Sequence, residues 1–357
     1  MFKSLEYYKP NIDETVKWYQ KMYHDALNHK KGHVSFRALP PSDVDYYEKM
    51  DLTIYSFPRD NKKYAEDLCR FLEKSFRLRK EVDDNFIPVI TINLGIGDYS
   101  AFVNGDIVFQ KDTSWSKPSL ENLTDYKKFN ELGTQMWYQN FLAITEEILK
   151  ISAPSGIPFS RGFFSPLDLA YALRGDKIFY DFYDHPEELK EFLDYCAEAT
   201  IKFANDIYQL AKKYLGNSKY GMFYLENIIN MSEDTACLIS GEQYQEFSAP
   251  YTQKVIDHFG LGHMHTHSRS LYLVKEISSL RNVVNLWLPT DPNAPKPIEH
   301  AASLAEDANG VHLAIDCESF AQIEENFQDL KKGNYSVTLP VKDIDEAIKF
   351  AKKFKEL

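Results

Sequence analysis

The second half of the chain alternates between short apolar runs and segments whose apolar residues have helical spacing. The apolar, β-rich runs fall at 220–225, 260–266, 283–287, 311–315 and 335–339, and the helical patterns at 241–259, 270–279, 297–307, 319–331 and 343–355. A short apolar run is typical of a buried strand, and apolar residues three and four apart are typical of an amphipathic helix. Five such strand and helix units predict parallel strands joined by crossover helices.

The first half of the chain is less regular. Helical spacing appears at 11–30, near 60–80 and at 130–151, and a long helix is predicted from residues 184–187 to about Leu215. A proline in the first turn with acidic residues beside it favours a helix start there. Residues 86–94 form an apolar run ended by a glycine turn, which predicts a buried strand. The alternating pieces within 101–125 predict an inserted hairpin and loop.

Parallel strands with crossover helices either close into a (β/α)8 barrel or spread into a doubly wound sheet. The number of units and the absence of a GxGxxG turn favour the barrel. We therefore predict an α/β protein in which residues 86–357 form a (β/α)8 TIM barrel. Residues 1–85 are predicted to be a helical extension that packs on this barrel, so that the chain is a single structural unit.

Composition and charge narrow the function classes. The 357 residues are 44% hydrophobic and 26% charged, which is typical of a globular protein. A net charge of −12 argues against binding to nucleic acid or to an anionic membrane, since both need a basic surface. The four cysteines form no CxxC pair, and no apolar segment has the length of a signal core or a membrane span. We expect a cytoplasmic protein without a disulfide framework.

Three histidines stand at alternate positions in the segment Gly262–Ser268. In an extended segment, residues two apart point to one face, so His263, His265 and His267 would project side by side. Neutral imidazole is a common ligand for zinc and similar metals. The alternative is that some of these rings are hydrogen-bonded at the end of a strand. The pattern favours a metal or catalytic site.

Other candidates lie at the ends of predicted strands, where barrel enzymes place their chemistry. Glu226 follows an apolar run and would suit metal ligation or proton transfer, with a helix cap or a rim ion pair as the alternative. Asp234 in the next loop has a weaker version of the same role. Cys317 is a candidate thiolate ligand or an ordinary buried residue.

Substrate contacts are predicted from arginines and aromatic residues. Arg161 and Arg174 could each hold an anionic group with two hydrogen bonds, although pairing with acidic residues is the commoner fate of an arginine. Phe164, Tyr224 and Trp287 are candidates for the wall of an apolar pocket.

Several segments in the same order resemble the uroporphyrinogen decarboxylase superfamily. Phe164–Gly175 (FSPLDLAYALRG) resembles the family's "GPFTLA…LRG" segment, and Tyr183–Leu189 (YDHPEEL) resembles its "YDxPE" helix start. Leu238–Tyr251 (LISGEQYQEFSAPY) is similar to "LSPExFxEFxxPY", and His265–Ser270 (HTHSRS) stands where the family has "HxCGN". The resemblance covers roughly residues 85–355. It implies a (β/α)8 barrel with its site at the mouth.

The superfamily includes uroporphyrinogen decarboxylases and zinc-dependent methyltransferases that act on corrinoid proteins and coenzyme M. The methyltransferases bind zinc through the His and Cys of "HxC" and through a late cysteine. Here His265 matches the histidine, His267 replaces the cysteine, and residues 336–341 occupy the place of the late cysteine. Residues 1–85 contain no counterpart of the "RQAGRY" segment of the decarboxylases. The resemblance therefore favours the methyltransferase branch.

The leading hypothesis is an enzyme that transfers a methyl group with the help of a divalent metal, for which zinc is the first candidate. A corrinoid carried by a partner protein would take part in the transfer. The predicted metal ligands are drawn from His263, His265, His267, Glu226 and Cys317, and the predicted catalytic residues are Glu226, His267 and Asp234. One alternative is a carboxy-lyase acting on uroporphyrinogen or another small acid. A second is a non-catalytic barrel that binds a tetrapyrrole or corrinoid. A homodimer would suit the resemblance.

Overall fold

The computed structural model describes residues 2–44, 50–216, 225 and 227–357. The strands are β1 Val34–Leu39, β2 Ile90–Thr91, β3 Ile107–Phe109, β4 Ser114–Ser116, β5 Phe159–Ser160, β6 Phe163–Phe164, β7 Ile228–Ser232, β8 Leu261–His265, β9 Val283–Leu288, β10 His312–Asp316 and β11 Asn334–Pro340. The helices with both ends inside these ranges are α1 Leu5–Tyr8, α2 Ile12–Leu27, α3 Asn61–Leu78, α4 Met136–Ser152, α5 Pro166–Arg174, α6 Ile178–Asp184, α7 Pro186–Leu215, α8 Gly241–Phe247, α9 Ala249–Phe259, α10 Val274–Ser278, α11 Ala301–Asp307, α12 Phe320–Leu330 and α13 Ile344–Phe354.

A parallel sheet of seven strands organises the molecule. Its order is β1-β11-β10-β9-β8-β7-β6, and every pairing in it is parallel. Strands β7 to β11 are neighbours both in sequence and in the sheet, with at least one helix between successive strands, as βα units require. The α/β class with a parallel sheet is therefore confirmed.

A separate parallel pair, β2 with β5, lies near the two edges of this sheet. The segment before β2 contacts β1, because Asn85 N donates to Phe36 O at 2.9 Å. Strand β5 precedes β6 by two residues in the chain. These contacts are compatible with a barrel, whose closure remains a prediction.

Residues 1–85 contain a strand as well as helices, which corrects the predicted helical extension. Strand β1 pairs with β11 over its whole length, from Val34 opposite Tyr335 to Leu39 opposite Pro340. A serine and an arginine interrupt its apolar pattern (VSFRAL), so the six residues lack the continuous apolar run that marks a buried strand.

Other predicted elements differ in their limits. The predicted strand 86–94 contains only the two residues of β2, and the antiparallel hairpin β3–β4 lies inside 101–125 as expected. The predicted strand 220–225 lies outside the described residues except for Leu225, and strand β7 begins three residues later.

Local sequence signals explain the helix ends near the sheet. Helix α5 begins where the Ser165 hydroxyl accepts a hydrogen bond from Asp168 N at 3.2 Å. Helix α7 has Pro186 in its first turn and ends at Gly216, whose φ of 77° suits glycine. None of the helices among the described residues combines the length and the apolarity that crossing a membrane would need.

Candidate metal centre and cavity

A cavity of about 670 Å³ opens at the carboxyl ends of strands β6 to β9. Aromatic side chains form much of its wall: Tyr99, Trp115, Phe164, Tyr171 and Trp287. The polar side chains in the lining are Ser116, Asp168, Asp176, Asn230, Ser232, Asp234, Thr235 and His265. Of the described residues that line the cavity, none is lysine or arginine. The cavity therefore suits a largely apolar molecule better than a polyanion.

Two histidines and an aspartate meet at the wall of this cavity. His265 ends β8, and Asp234 follows β7, so the parallel pairing of these strands places both at the same edge of the sheet. Oδ1 of Asp234 lies 3.3 Å from Nε2 of His265 and 3.3 Å from Nε2 of His267. The His265 ring also contacts Trp287 in a tilted arrangement, with ring centroids 4.6 Å apart.

A second carboxylate orients His267 from the opposite side of the ring. Nδ1 of His267 lies 2.7 Å from Oδ1 of Asp291. The backbone of Asp291 is held in turn by a hydrogen bond that its N–H donates to Ser268 Oγ at 2.9 Å. His267 is thus held between two carboxylates, one on each ring nitrogen. This arrangement fixes the ring plane and favours its protonated form.

The two neighbouring imidazoles have opposite electrostatic environments. Burial lowers the pKa of His265 below its usual value, although the nearby Asp234 opposes this effect. The Asp234 carboxylate, helped by Asp291, raises the pKa of His267 to about 9 against the cost of burial. Near neutral pH a neutral imidazole therefore stands beside a charged one, with ring centroids 5.0 Å apart.

Asp168 fastens the loop that carries Asp234. Its carboxylate accepts hydrogen bonds from Asp234 N at 2.9 Å and Thr235 N at 2.7 Å, and from the Ser232 hydroxyl at 2.5 Å. Burial raises the pKa of Asp168 to about 6, and the charge of Asp234 adds to the shift. The loop geometry therefore depends on a carboxyl group that also lines the cavity.

Glu233 lies behind this loop in a fully buried position. It accepts hydrogen bonds from the hydroxyls of Thr252 at 2.6 Å, Ser248 at 2.9 Å and Ser165 at 3.1 Å. Burial raises the pKa of Glu233 to about 8, with the Asp168 charge as the next cause. Asp168 and Glu233 were not predicted as site residues, because their partners are distant in the chain.

The sequence profile described as "Uroporphyrinogen decarboxylase (URO-D)" matches residues 106–283, a range that includes the loop of Asp234 and both cluster histidines. Residues 106–283 therefore match the uroporphyrinogen decarboxylase family. Among solved structures, it is similar to a "methyltransferase from Methanosarcina mazei" with a TM-score of 0.62 and 12% identity. That similarity covers 95% of this chain and 99% of the other, and at such identity it shows the fold alone. No curated protein matches the sequence.

The superfamily fold brings together part of the site predicted from the sequence. His265, His267 and Asp234 converge, and Phe164 and Trp287 lie in the wall of the adjoining cavity. Tyr224 and Glu226 lie outside the described residues, so their predicted roles stay predictions.

His263 and Cys317 are placed away from the cluster. His263 is buried, and its two ring nitrogens contact Asn230 and Asn285. The Cys317 thiol donates to Thr338 O at 3.6 Å, and burial raises its pKa to about 12, so it stays protonated at neutral pH. The structure therefore assigns both residues to internal packing instead of to the cluster.

The two arginines predicted to bind substrate are also inside the protein. The side chain of Arg161 is 2% exposed and lies 3.2 Å from Oδ1 of Asp98. Arg174 forms a bidentate pair with Asp181, at 2.6 and 2.9 Å. Both are in buried ion pairs instead of at the cavity, because each has an acidic partner within reach that the sequence alone did not reveal.

The donor set of the cluster fits a divalent metal. Ligand atoms of Asp234, His265 and His267 all lie within 4.8 Å of one another. Two imidazole nitrogens and a carboxylate oxygen form a known donor set for zinc and related ions. Asp234 Oδ1 is buried between the two Nε2 atoms, 3.3 Å from each, in ion-pair contact but without a well-aligned hydrogen bond among the described residues, so a cation at this point would give it a better partner.

Proposed function

We propose that this protein is a methyltransferase of the uroporphyrinogen decarboxylase superfamily that uses a divalent metal, with zinc as the first candidate. The metal would be held by Asp234, His265 and His267, and the methyl group would be exchanged with a corrinoid on a partner protein. The proposal includes closure of the seven-stranded sheet into a (β/α)8 barrel through the β2–β5 pair. The methyltransferase with the same fold supports this branch of the superfamily.

The observation that carries the proposal is the convergence of Asp234, His265 and His267 at the wall of a cavity lined by aromatic side chains. A decarboxylase acting on a porphyrinogen must bind several carboxylates, and such groups are normally held by arginine or lysine. The described lining of this cavity has neither, and Arg161 and Arg174 are engaged in buried pairs. The geometry therefore favours methyl transfer over decarboxylation.

A bound divalent metal would act as a Lewis acid that lowers the pKa of a coordinated acceptor group such as a thiol. Residues of the protein position the three groups that would bind this metal. Burial keeps His265 neutral and ready to act as a ligand, while Asp291 holds His267 in one orientation. Asp168 fixes the backbone that presents Asp234, and the aromatic walls exclude water from the apolar part of the substrate.

The proposed setting is a reducing compartment such as the cytoplasm. All four cysteines of the chain are free, and three of them are buried. Cysteines that form no disulfides are usual in proteins of reducing compartments.

The direct test combines metal analysis with a methyl-transfer assay. Purified protein should contain about one divalent metal per chain, and D234N and H265A should lose it while keeping a native circular dichroism spectrum. His300→Ala changes an exposed histidine that is not part of the cluster and serves as the matched control. Methylcobalamin with a small thiol is a suitable probe pair, since demethylation changes the cobalamin absorption spectrum.

The proposal predicts metal-dependent demethylation of the probe by the wild type and by H300A, and none by H265A. Metal binding without methyl transfer would support the non-catalytic alternative. Conversion of uroporphyrinogen to decarboxylated products by metal-free protein would contradict the proposal and support a carboxy-lyase.

A further inference from the structure

A line of polar side chains crosses the interior of the sheet one layer below the histidine cluster. It contains one residue from each of six neighbouring strands: Asn230, His263, Asn285, His312, Ser336 and Ser35. Three of them, Asn285, His312 and Ser35, are about 1% exposed. Because buried polar groups are costly unless they are paired, a line of this length must be satisfied along its whole course.

The hydrogen bonds at the end of the line next to the cavity determine which ring nitrogen of His263 carries the proton. Asn285 Nδ2 lies 2.9 Å from His263 Nε2, so the amide donates and Nε2 carries no proton. The neutral ring then has its proton on Nδ1, which lies 3.1 Å from Asn230 Oδ1. The amide oxygen of Asn230 is therefore used as the acceptor of this bond.

At the end of the line away from the cavity, the hydrogen bonds are donated in the same direction along the line. His312 Nδ1 donates to Asn285 Oδ1, and His312 Nε2 accepts from the Ser336 hydroxyl at 2.8 Å. The Ser336 oxygen lies 2.5 Å from the Ser35 hydroxyl, which can donate to it. A neutral imidazole has one donor and one acceptor, so turning one ring or amide around would reverse every link between the two histidines and Asn230.

The consequence appears at the cavity, where the line ends. Asn230 lines the cavity, and its Nδ2 has no hydrogen-bond partner among the described residues. A Cβ built on Gly162 would stand 3.7 Å from Asn230 Nδ2 and 3.3 Å from Tyr99 Oη. Because Gly162 has no side chain, the space next to Asn230 Nδ2 and Tyr99 Oη stays open.

We propose that Asn230 is a substrate-positioning donor, which binds an uncharged oxygen atom of the substrate, such as an ether or carbonyl oxygen, at the open point beside Gly162. This inference deepens the proposed function, since it takes the same cavity as the substrate site. The aromatic walls suit the apolar body of such a molecule, and the absence of lysine and arginine among the described lining residues argues against a carboxylate there.

The position of Asn230 also relates this oxygen to the metal cluster. Asn230 lies opposite His263, and Ser232, two residues further along β7, lies opposite His265. Two residues of a strand span roughly 6.6 Å. The bound oxygen would therefore lie deeper than the cluster by about that distance, so that the substrate reaches from the polar line to the mouth of the cavity.

The first test needs no ligand and no variant of the line. The donor direction requires both His263 and His312 to be neutral with the proton on Nδ1, which is the minor tautomer of free histidine in water. Nitrogen-15 NMR of histidine-labelled protein near neutral pH distinguishes the two tautomers. The exposed His300 serves as an internal reference for the ordinary tautomer. Protons on Nε2 of both buried rings would overturn the proposal, because Asn230 would then present its oxygen.

The second test uses two probes of similar shape, acetophenone with an acceptor oxygen and isopropylbenzene without one. Wild-type protein should bind acetophenone more tightly by roughly three- to tenfold, the usual range for one neutral hydrogen bond. Asn230→Leu should remove this preference, Gly162→Ala should weaken acetophenone selectively, and His300→Ala should leave both unchanged. Equal binding of the two probes by wild type, or no binding of either, would overturn the proposal.

These readouts are independent of methyl transfer. Chelation of metal should leave the probe preference in place, because the side-chain hydrogen bond of Asn230 goes to His263 and not to a member of the cluster. Failure of the methyltransferase proposal with a preserved preference would therefore be distinguishable from failure of this inference.

Discussion

Replacing Arg161 with methionine tests whether this arginine is structural, as its burial indicates, or a substrate contact, as its sequence context suggested. Its guanidinium lies 3.2 Å from the Asp98 carboxylate and within 6.0 Å of four aromatic ring centroids. Removing one member of a buried ion pair typically costs about 3–5 kcal/mol, since the other charge stays buried without a partner. We expect R161M to lose stability within this range near pH 7.

The pH dependence of this loss gives a sharper signature. Burial raises the pKa of Asp98 from 3.8 to about 6 even though Arg161 lowers it. Ionisation of Asp98 therefore opposes folding between these values, and the wild type loses stability as pH rises through that window and then levels off. Without Arg161 the pKa of Asp98 must rise further. Above about pH 6 the difference in unfolding free energy between wild type and R161M should grow by up to ~1.4 kcal/mol per pH unit.

Urea denaturation of both proteins at pH 5, 6, 7 and 8 measures this difference. The double variant D98N/R161M serves as the control, because it lacks the ionisable group and should show no such slope. A loss that is the same at every pH would refute the reasoning about Asp98. A fully stable R161M with weakened substrate binding would instead restore the arginine to the substrate site.

Three further predictions address the site and its supports. Glu233→Gln should change stability by less than about 1 kcal/mol near pH 4.5, where the native carboxyl group is protonated and resembles the amide. Because burial raises the pKa of Glu233 from 4.5 to about 8, wild type should then lose stability relative to this variant by up to ~1.4 kcal/mol per pH unit as pH rises towards 8, as denaturation at both ends of this range would show. Asp291→Asn should weaken metal binding about 10- to 100-fold in a competition assay, because it orients His267. Gly95→Ala should destabilise far more than Gly216→Ala in thermal unfolding: both have positive φ, but only a Cβ at Gly95 would meet backbone, at 2.0 Å.

The sequence predicted most of the elements around the cluster because their signals are local. Strands β8 to β11 are short apolar runs that fall between amphipathic helices, so period and length identified them. Strand β1 was missed because its serine and arginine hide the pattern, although Ser35 belongs to the buried polar line. The remaining differences between prediction and structure concern buried side chains whose partners lie far away in the chain. Asp98 precedes Arg161 by 63 residues, and no local pattern announces that pairing.

The three histidines that stood out in the sequence show how depth divides one residue type among different tasks. They do follow one another along β8 and its loop, as alternation predicts, but their environments change with each step. At the bottom, burial lowers the pKa of His263 to about 4, so this ring stays neutral and can pass a hydrogen bond between two amides. At the strand end His265 is also neutral, while Asp234 and Asp291 raise the pKa of His267 to about 9 at the rim. A metal must displace the proton of His267, so the apparent metal affinity should decrease as the pH falls below about 9. This coupling follows from the two carboxylates that flank the ring.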